Sequence, residues 1–182
     1  EIDVYPTVLK EGTVPVTKEN VESTFKEFLK EHKELFEVEP ENLKMVSVKK
    51  INNKWYVKYG QYYKGIRVHN ATVGLDSSEN GKVSSYASNY QPNIEVPTKP
   101  SVKLEKAVEI AKETYPGKDP QGLKEEDSTL IIYPEKTEGK IIHHLAWKFM
   151  LAGKQTDPEI EKYFIVDALD GKIIKSYAAN PD

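Results

Sequence analysis

The chain has 182 residues, 38% of them hydrophobic and 30% charged, with a net charge of −3 and no cysteine. That length holds one large domain or two small ones of about 90 residues each, and the missing thiols exclude disulfides, thiolate metal sites and cysteine nucleophiles. Acidic and basic residues read as interspersed, and Arg67 is the only arginine. Nucleic-acid readers lean on arginine for bidentate contacts to phosphate and guanine, so no nucleic acid is expected as a partner.

No apolar run approaches the ~18 residues of a membrane span, so no membrane span is expected. No secretory signal is visible either. The chain opens at Glu1, which points to an N-terminus trimmed by processing or by choice of boundaries.

Residues 1–16 carry Pro6, Gly12 and Pro15 without a steady period and read as an extended lead-in. In "TKENVESTFKEFLKEHKELF", residues 17–36, Val21, Phe25, Phe28, Leu29, His32, Leu35 and Phe36 recur at helical spacing. Thr17 is the expected N-cap, and Pro40 limits the helix. Strands follow at "KMVSVKKI" and "KWYVKYGQYY", turned by Asn52-Asn53. Trp55, Val57 and Tyr59 fall on one face, Tyr56 and Lys58 on the other. "IRVHNATVGLD" and "KVSSYASNYQP" are joined at Asn80-Gly81, read as a two-residue hairpin turn with positive φ at both positions.

Pro92, Pro97 and Pro100 then fall within nine residues, a stiff linker. The expected divisions are residues 1–91, a linker at 92–100, and residues 101–182. The second part repeats the plan. Leu104, Ala107, Val108, Ala111 and Tyr115 share a helical face closed by Pro116-Gly117. Strands follow at "STLIIYP", "KIIHHLAWKFML", "KYFIVDA" and "KIIKSYAA", the last pair turned at Asp170-Gly171. The fold class is α+β: two consecutive units, each a helix packed on an antiparallel sheet.

Reactive chemistry is hard to assemble from these residues. The histidines are His32, His69, His143 and His144. The last two are adjacent on a strand, so their side chains diverge, and His32 lies in line with the buried stripe. No H-E-x-x-H, G-x-S-x-G or phosphate-binding glycine loop is present. "KEEDS" at 124–128 reads as a solvated loop. "DSSEN" at 76–80 offers oxygens without calcium-loop spacing. No catalytic residue, metal or cofactor is expected. The residues favour a binding or folding module that is not an enzyme.

"YGQYYKGIRVHNATVGLDSSENGKVSSYASNYQPN", residues 59–93, resembles the FTP module, the fungalysin and thermolysin propeptide motif. The matching positions are Gln61, Tyr63, Gly65, Val68, Ala71, Val73, Gly81, Val83, Asn89 and Pro92. The second half resembles a PepSY domain in "KAVEIAK", "LAWKFML" and "KYFIVDALDGKII", with Ala146, Trp147, Tyr163, Phe164, Asp167, Ala168 and Gly171. One position departs: Lys103 stands where the family often has Ser or Thr before the helix, and Ser101 is available one turn earlier.

The order FTP then PepSY is similar to the propeptide of thermolysin-like (M4) zinc metalloproteases. That resemblance implies cystatin-like units, an intramolecular chaperone and an inhibitor, acting on the catalytic domain of an M4-type metalloprotease in a secreted or cell-envelope setting. No protease domain follows "AANPD". The chain is therefore either an excised proregion or a stand-alone relative that inhibits or binds in trans.

Within residues 57–75, Val57, Tyr59, Ile66, Val68 and Val73 are core candidates, and Gly65 permits a turn or bulge. Two orientations are open for Gln61. Pointing inward, its amide ties the turn to neighbouring backbone. Pointing outward, Gln61, Tyr63, Arg67 and His69 form a polar-aromatic patch suited to an interface, which the implied catalytic-domain partner favours. The tail residues Ile174, Lys175, Ser176, Tyr177, Ala178, Ala179 and Asn180 are expected to lie toward the protease cleft. The resemblance places cleavage from the enzyme there. Asn70-Ala71-Thr72 matches a glycosylation sequon.

Overall fold

The apolar stripe of residues 21–36 folds as two helices rather than one. The computed structural model describes residues 6–10, 13–114, 124–152 and 161–179, and it divides into two units, residues 1–93 and 94–182. In the first unit α1 (Val21–Glu31) and α2 (Lys33–Phe36) meet at His32, whose φ of −117° interrupts the helix. The break turns Leu35 off the stripe. It is 62% exposed, while Phe36 is buried and its carbonyl accepts from the Tyr86 hydroxyl at 2.9 Å. Regular helix begins at Val21, later than a Thr17 cap predicts. A single turn precedes it, in which Val21 N–H donates to Thr17 O and Thr17 N–H donates to Asn20 Oδ1.

Four antiparallel strands follow in sequence order: β1 (Leu43–Ile51), β2 (Lys54–Tyr63), β3 (Ile66–Ser78) and β4 (Val83–Ser88). Asn52 and Asn53 turn β1 into β2 with φ of 47° and 62°, and Lys64-Gly65 turn β2 into β3 with 47° and 87°. Both are two-residue turns of the kind that matches strand twist. The third turn differs from expectation. Only Gly81 has positive φ (77°). Gly81 N–H donates to Ser78 O and Ser78 N–H to Lys82 O, a three-residue loop.

The alternation in β2 places Trp55, Val57 and Tyr59 against Phe25, Phe28 and Leu29 of α1 in one buried cluster. Each such side chain contributes about 1.5–3 kcal/mol on burial. Trp55 Nε1 finds its acceptor in Val16 O at 3.3 Å, which ties the lead-in to the core.

In the second unit α3 (Leu104–Glu113) lies on β5 (Lys124–Thr137), β6 (Lys140–Ala152), β7 (Lys162–Asp167) and β8 (Ile173–Ala178), again antiparallel in sequence order. Ala107, Val108 and Ala111 meet Phe149, Leu151, Phe164 and Val166. Neither Lys103 nor Ser101 caps the helix through its side chain. The Ser101 and Val102 N–H groups both donate to Ala168 O, and Trp147 Nε1 to Val102 O, so the approach to α3 is pinned to the β7–β8 connection. That connection contains Asp170-Gly171 and is braced by Asp167, whose Oδ1 accepts from Leu169 and Asp170 N–H at 2.7 and 3.3 Å.

Glu138-Gly139 form a further two-residue turn, with φ of 44° and 80°. Tyr115, Pro116 and Gly117 lie outside the described residues. The architecture is α+β, and no helix among the described residues is long and apolar enough to cross a membrane.

Candidate functional site

The β2–β3 hairpin is not a plain ladder. Gly60 pairs with Thr72 and Tyr62 with Arg67, so one residue of β2, Gln61, faces four of β3, Val68 to Ala71. Val68 and Ala71 turn inward and are buried, Asn70 takes a left-handed φ of 55°, and His69 is half-buried. Such a bulge frees backbone carbonyls that must find donors. Arg67 supplies them: Nη1 donates to Gln61 O at 2.8 Å, Val68 O at 3.1 Å and Ala71 O at 2.8 Å. The guanidinium also lies 5.5 Å from the Tyr62 ring centroid. Burial pulls it below the usual arginine value.

Gln61 closes the same bulge from the other strand. It points inward and is 2% exposed. Nε2 donates to Gln91 O and Oε1 accepts from Gln91 N–H, both at 2.7 Å, so its amide pairs with the Gln91 backbone at both ends, as a peptide group would. Asn89 holds the outer rim: Oδ1 accepts from Thr72 N–H at 2.6 Å, and Nδ2 donates to Asn70 O. The threonine of the sequon is thereby tied to Asn89, while Asn70 stays exposed.

An outward patch that includes Gln61 is therefore not formed. The strand alternation that buries Trp55, Val57 and Tyr59 also buries residue 61, and its polarity is met by backbone. Arg67 turns Nη1 to the bulge carbonyls. Tyr63 and His69 are half-buried, and Lys64 Nζ sits 5.0 Å over the Tyr63 ring. What the hairpin offers outward is instead aromatic and cationic, with Lys44 Nζ 4.4 Å over the Tyr62 ring.

The tail residues behave differently from a free extension. Residues 174–178 belong to β8, registered on β7 with Lys175 opposite Ile165, Ser176 opposite Phe164 and Tyr177 opposite Tyr163. Ile174 and Tyr177 lean on the buried trio Ile131, Ala146 and Ile165. Lys175, Ser176 and Ala178 are exposed, Ala179 N–H donates to Glu161 O, and Asn180 lies outside the described residues.

One constellation was not foreseen. His144 stands between two carboxylates, Nδ1 2.9 Å from Asp167 Oδ2 and Nε2 2.9 Å from Glu135 Oε2. Adjacent His143 points the other way, as strand geometry requires. Its Nε2 is buried without a partner among the described residues, and burial lowers its proton affinity. The His144 trio links β5, β6 and the β7–β8 turn. Among the described residues no group of three or more His, Asp and Glu is arranged to hold a metal.

Comparison with known proteins bears on the first unit. No curated protein matches the sequence. Among solved structures, the chain is similar to the Bacillus megaterium YpeB C-terminal domain (16% identity, TM-score 0.42, covering 95% of this chain and 69% of that one). It is also similar to a Clostridium difficile 630 protein described as a candidate lipoprotein (13% identity, TM-score 0.29, 93% and 96% covered). The family model of the Fungalysin/Thermolysin Propeptide Motif matches residues 41–90, which span β1 to β4 and the bulge with Gln61, Arg67 and Asn89, and stop one residue short of Gln91.

Proposed function

We propose that the chain is a non-catalytic propeptide of two cystatin-like units, the second PepSY-like. In this reading it assists the folding of a thermolysin-like metalloprotease and inhibits it as a zymogen until it is cleaved away. The observation that carries this reading is the propeptide motif over residues 41–90. A propeptide and inhibitor role suits a secreted or envelope setting.

Assistance needs only differential binding: a chain that holds the native-like state of the protease more tightly than its unfolded state shifts the population toward it. For inhibition the element of interest is β8. It ends the strand order of its sheet, so among the described residues its outer edge carries no further strand. An extended segment adds along such an edge, with Lys175, Ser176 and Ala178 exposed beside it. The tail enters the cleft rim as a continuation of β8, rather than as a free strand starting at residue 174.

The test adds the purified 182-residue chain to M4-type protease domains, active in one sample and denatured in another. The reading expects tight inhibition of the first and recovered activity from the second. A chain ending at Ala178 should fold normally and inhibit less. No effect on either sample, across several such proteases, overturns the reading in favour of a binding module with a different partner.

A further inference from the structure

Charge is not interspersed throughout this sequence. Residues 43–75 hold six lysines and Arg67 without a single Asp or Glu, while the other residues hold 19 basic and 29 acidic groups, a net of −10. The strands give this segregation a direction. Trp55, Val57 and Tyr59 face the core, so Lys54, Tyr56, Lys58 and Gly60 face away from it. The β1 register brings Lys44 opposite Gly60 and Lys49 opposite Tyr56 onto that same outer face.

Lys49 thus lies diagonal to both Lys54 and Lys58, roughly 7–8 Å between backbones, within a screening length of about 8 Å at physiological salt. None of these four ammonium groups is paired with a carboxylate among the described residues. Asp76, opposite Tyr56 on β3, is diagonal to Lys54 and Lys58 on the same face and keeps its charge while accepting from Ser85 Oγ at 2.7 Å. It offsets part of the charge of those two lysines, and Lys44 and Lys49, on the edge strand itself, have no such neighbour on β2.

A second observation concerns the edge. β1 ends the strand order on its side. Val46, at its bulge, and Val48 are 48% and 40% exposed. Val48 pairs with buried Val57, so it lies on the core-facing side, opposite to Lys49. Lysines and a bulge on an edge strand do guard against aggregation. That accounts for Lys44 and Lys49 but not for Lys54 and Lys58 on β2, nor for the absence of acidic residues from both β1 and β2. A flat anionic surface such as a membrane meets one face only. A strand added to β1 meets both, because its side chains alternate.

We propose that the β1 edge is a docking site for an extended acidic polypeptide segment. Its backbone adds to β1, its carboxylates lie over Lys44, Lys49 and Lys58, and its alternate apolar residues cover Val46 and Val48. This does not depend on the propeptide reading, whose inhibitory contact is assigned to β8.

The probe is a capped, fluorescein-labelled peptide Glu-Val-Glu-Val-Glu-Thr-Glu, followed by anisotropy with the full chain at low and physiological salt. Saturable binding that weakens with salt is expected. Lys49→Glu/Lys58→Glu should weaken it about tenfold or more, with circular dichroism confirming the fold. If the reversal does not fold, Lys49→Gln/Lys58→Gln carries the same test with a smaller loss. A peptide N-methylated at alternate residues should also bind at least tenfold more weakly. The proposal is overturned by no saturable binding, by unchanged binding of the lysine variants or the N-methylated peptide, or by tighter binding to phosphatidylglycerol vesicles or single-stranded DNA than to the peptide.

Discussion

The Arg67 guanidinium occupies the space in which a side chain at Gly60 would stand: a Cβ built on Gly60 lies 2.5 Å from Arg67 Cζ. The guanidinium cannot simply swing aside, because Nη1 is held by three carbonyls of the bulge. Gly60→Ala should therefore lower stability by about 1–3 kcal/mol, read as a shifted urea midpoint at unchanged slope. Arg67→Met should cost a similar amount. In the double variant the effect of Gly60→Ala should shrink, since its obstacle is gone. Additive effects would show that the two residues do not compete for the same space.

Among the described residues the Gln61 amide is the side-chain partner of the Gln91 backbone, at both its N–H and its carbonyl. Gln61→Met keeps the volume and strands both groups, at an expected cost of about 1–3 kcal/mol. Gln61→Glu can still accept from Gln91 N–H but sets a carboxylate against Gln91 O, and should cost more. Faster hydrogen exchange at the Gln91 amide in both variants is the local check.

Tyr59 is 1% exposed and its hydroxyl has no partner among the described residues. Burial raises its pKa above the ordinary tyrosine value. The folded state thus holds the proton after the unfolded chain has lost it. The associated stability is complete below pH ~10 and is lost as pH climbs above it. Tyr59→Phe should be neutral or slightly stabilising at pH 7 and should gain on the parent chain above pH 10. Parallel stability curves for the two proteins would remove the argument.

Asp167 serves the β7–β8 turn through Oδ1 and His144 through Oδ2. Asp167→Asn can keep an acceptor for the turn but places an amide donor or a neutral oxygen at His144. Asp167→Ala loses both. The expected order of destabilisation is Ala above Asn, with Ala costing about 2–3 kcal/mol. Thermal melts give the order, and exchange at residues 169–172 locates it.

Short-range pattern made most of the elements legible. Two-residue periodicity placed Trp55, Val57 and Tyr59, and the Asn52-Asn53 turn followed from residues tolerant of positive φ. Of the two orientations open to Gln61, the inward one follows from its phase, since residue 61 continues the alternation of Trp55, Val57 and Tyr59. Leu35 departs from the stripe because the break at His32 leaves no mark in the 3.6-residue spacing. The His144 site needed register. Glu135 and Asp167 reach the histidine only because β5 and β7 flank β6 at that height, and no local pattern encodes that height. The bulge is equally non-local: its partners Gln61, Arg67 and Asn89 look unrelated until four residues of β3 are seen to face one of β2.

The Gln61–Gln91 pair lies beyond the end of β4, at residues 89–91 where the chain leaves the first unit. Tension drawn along residues 92–100 would therefore meet an anchor in β2 before it could unzip β4 one hydrogen bond at a time. The two hydrogen bonds at Gln61 would be loaded together, and both would have to break before β4 could begin to peel.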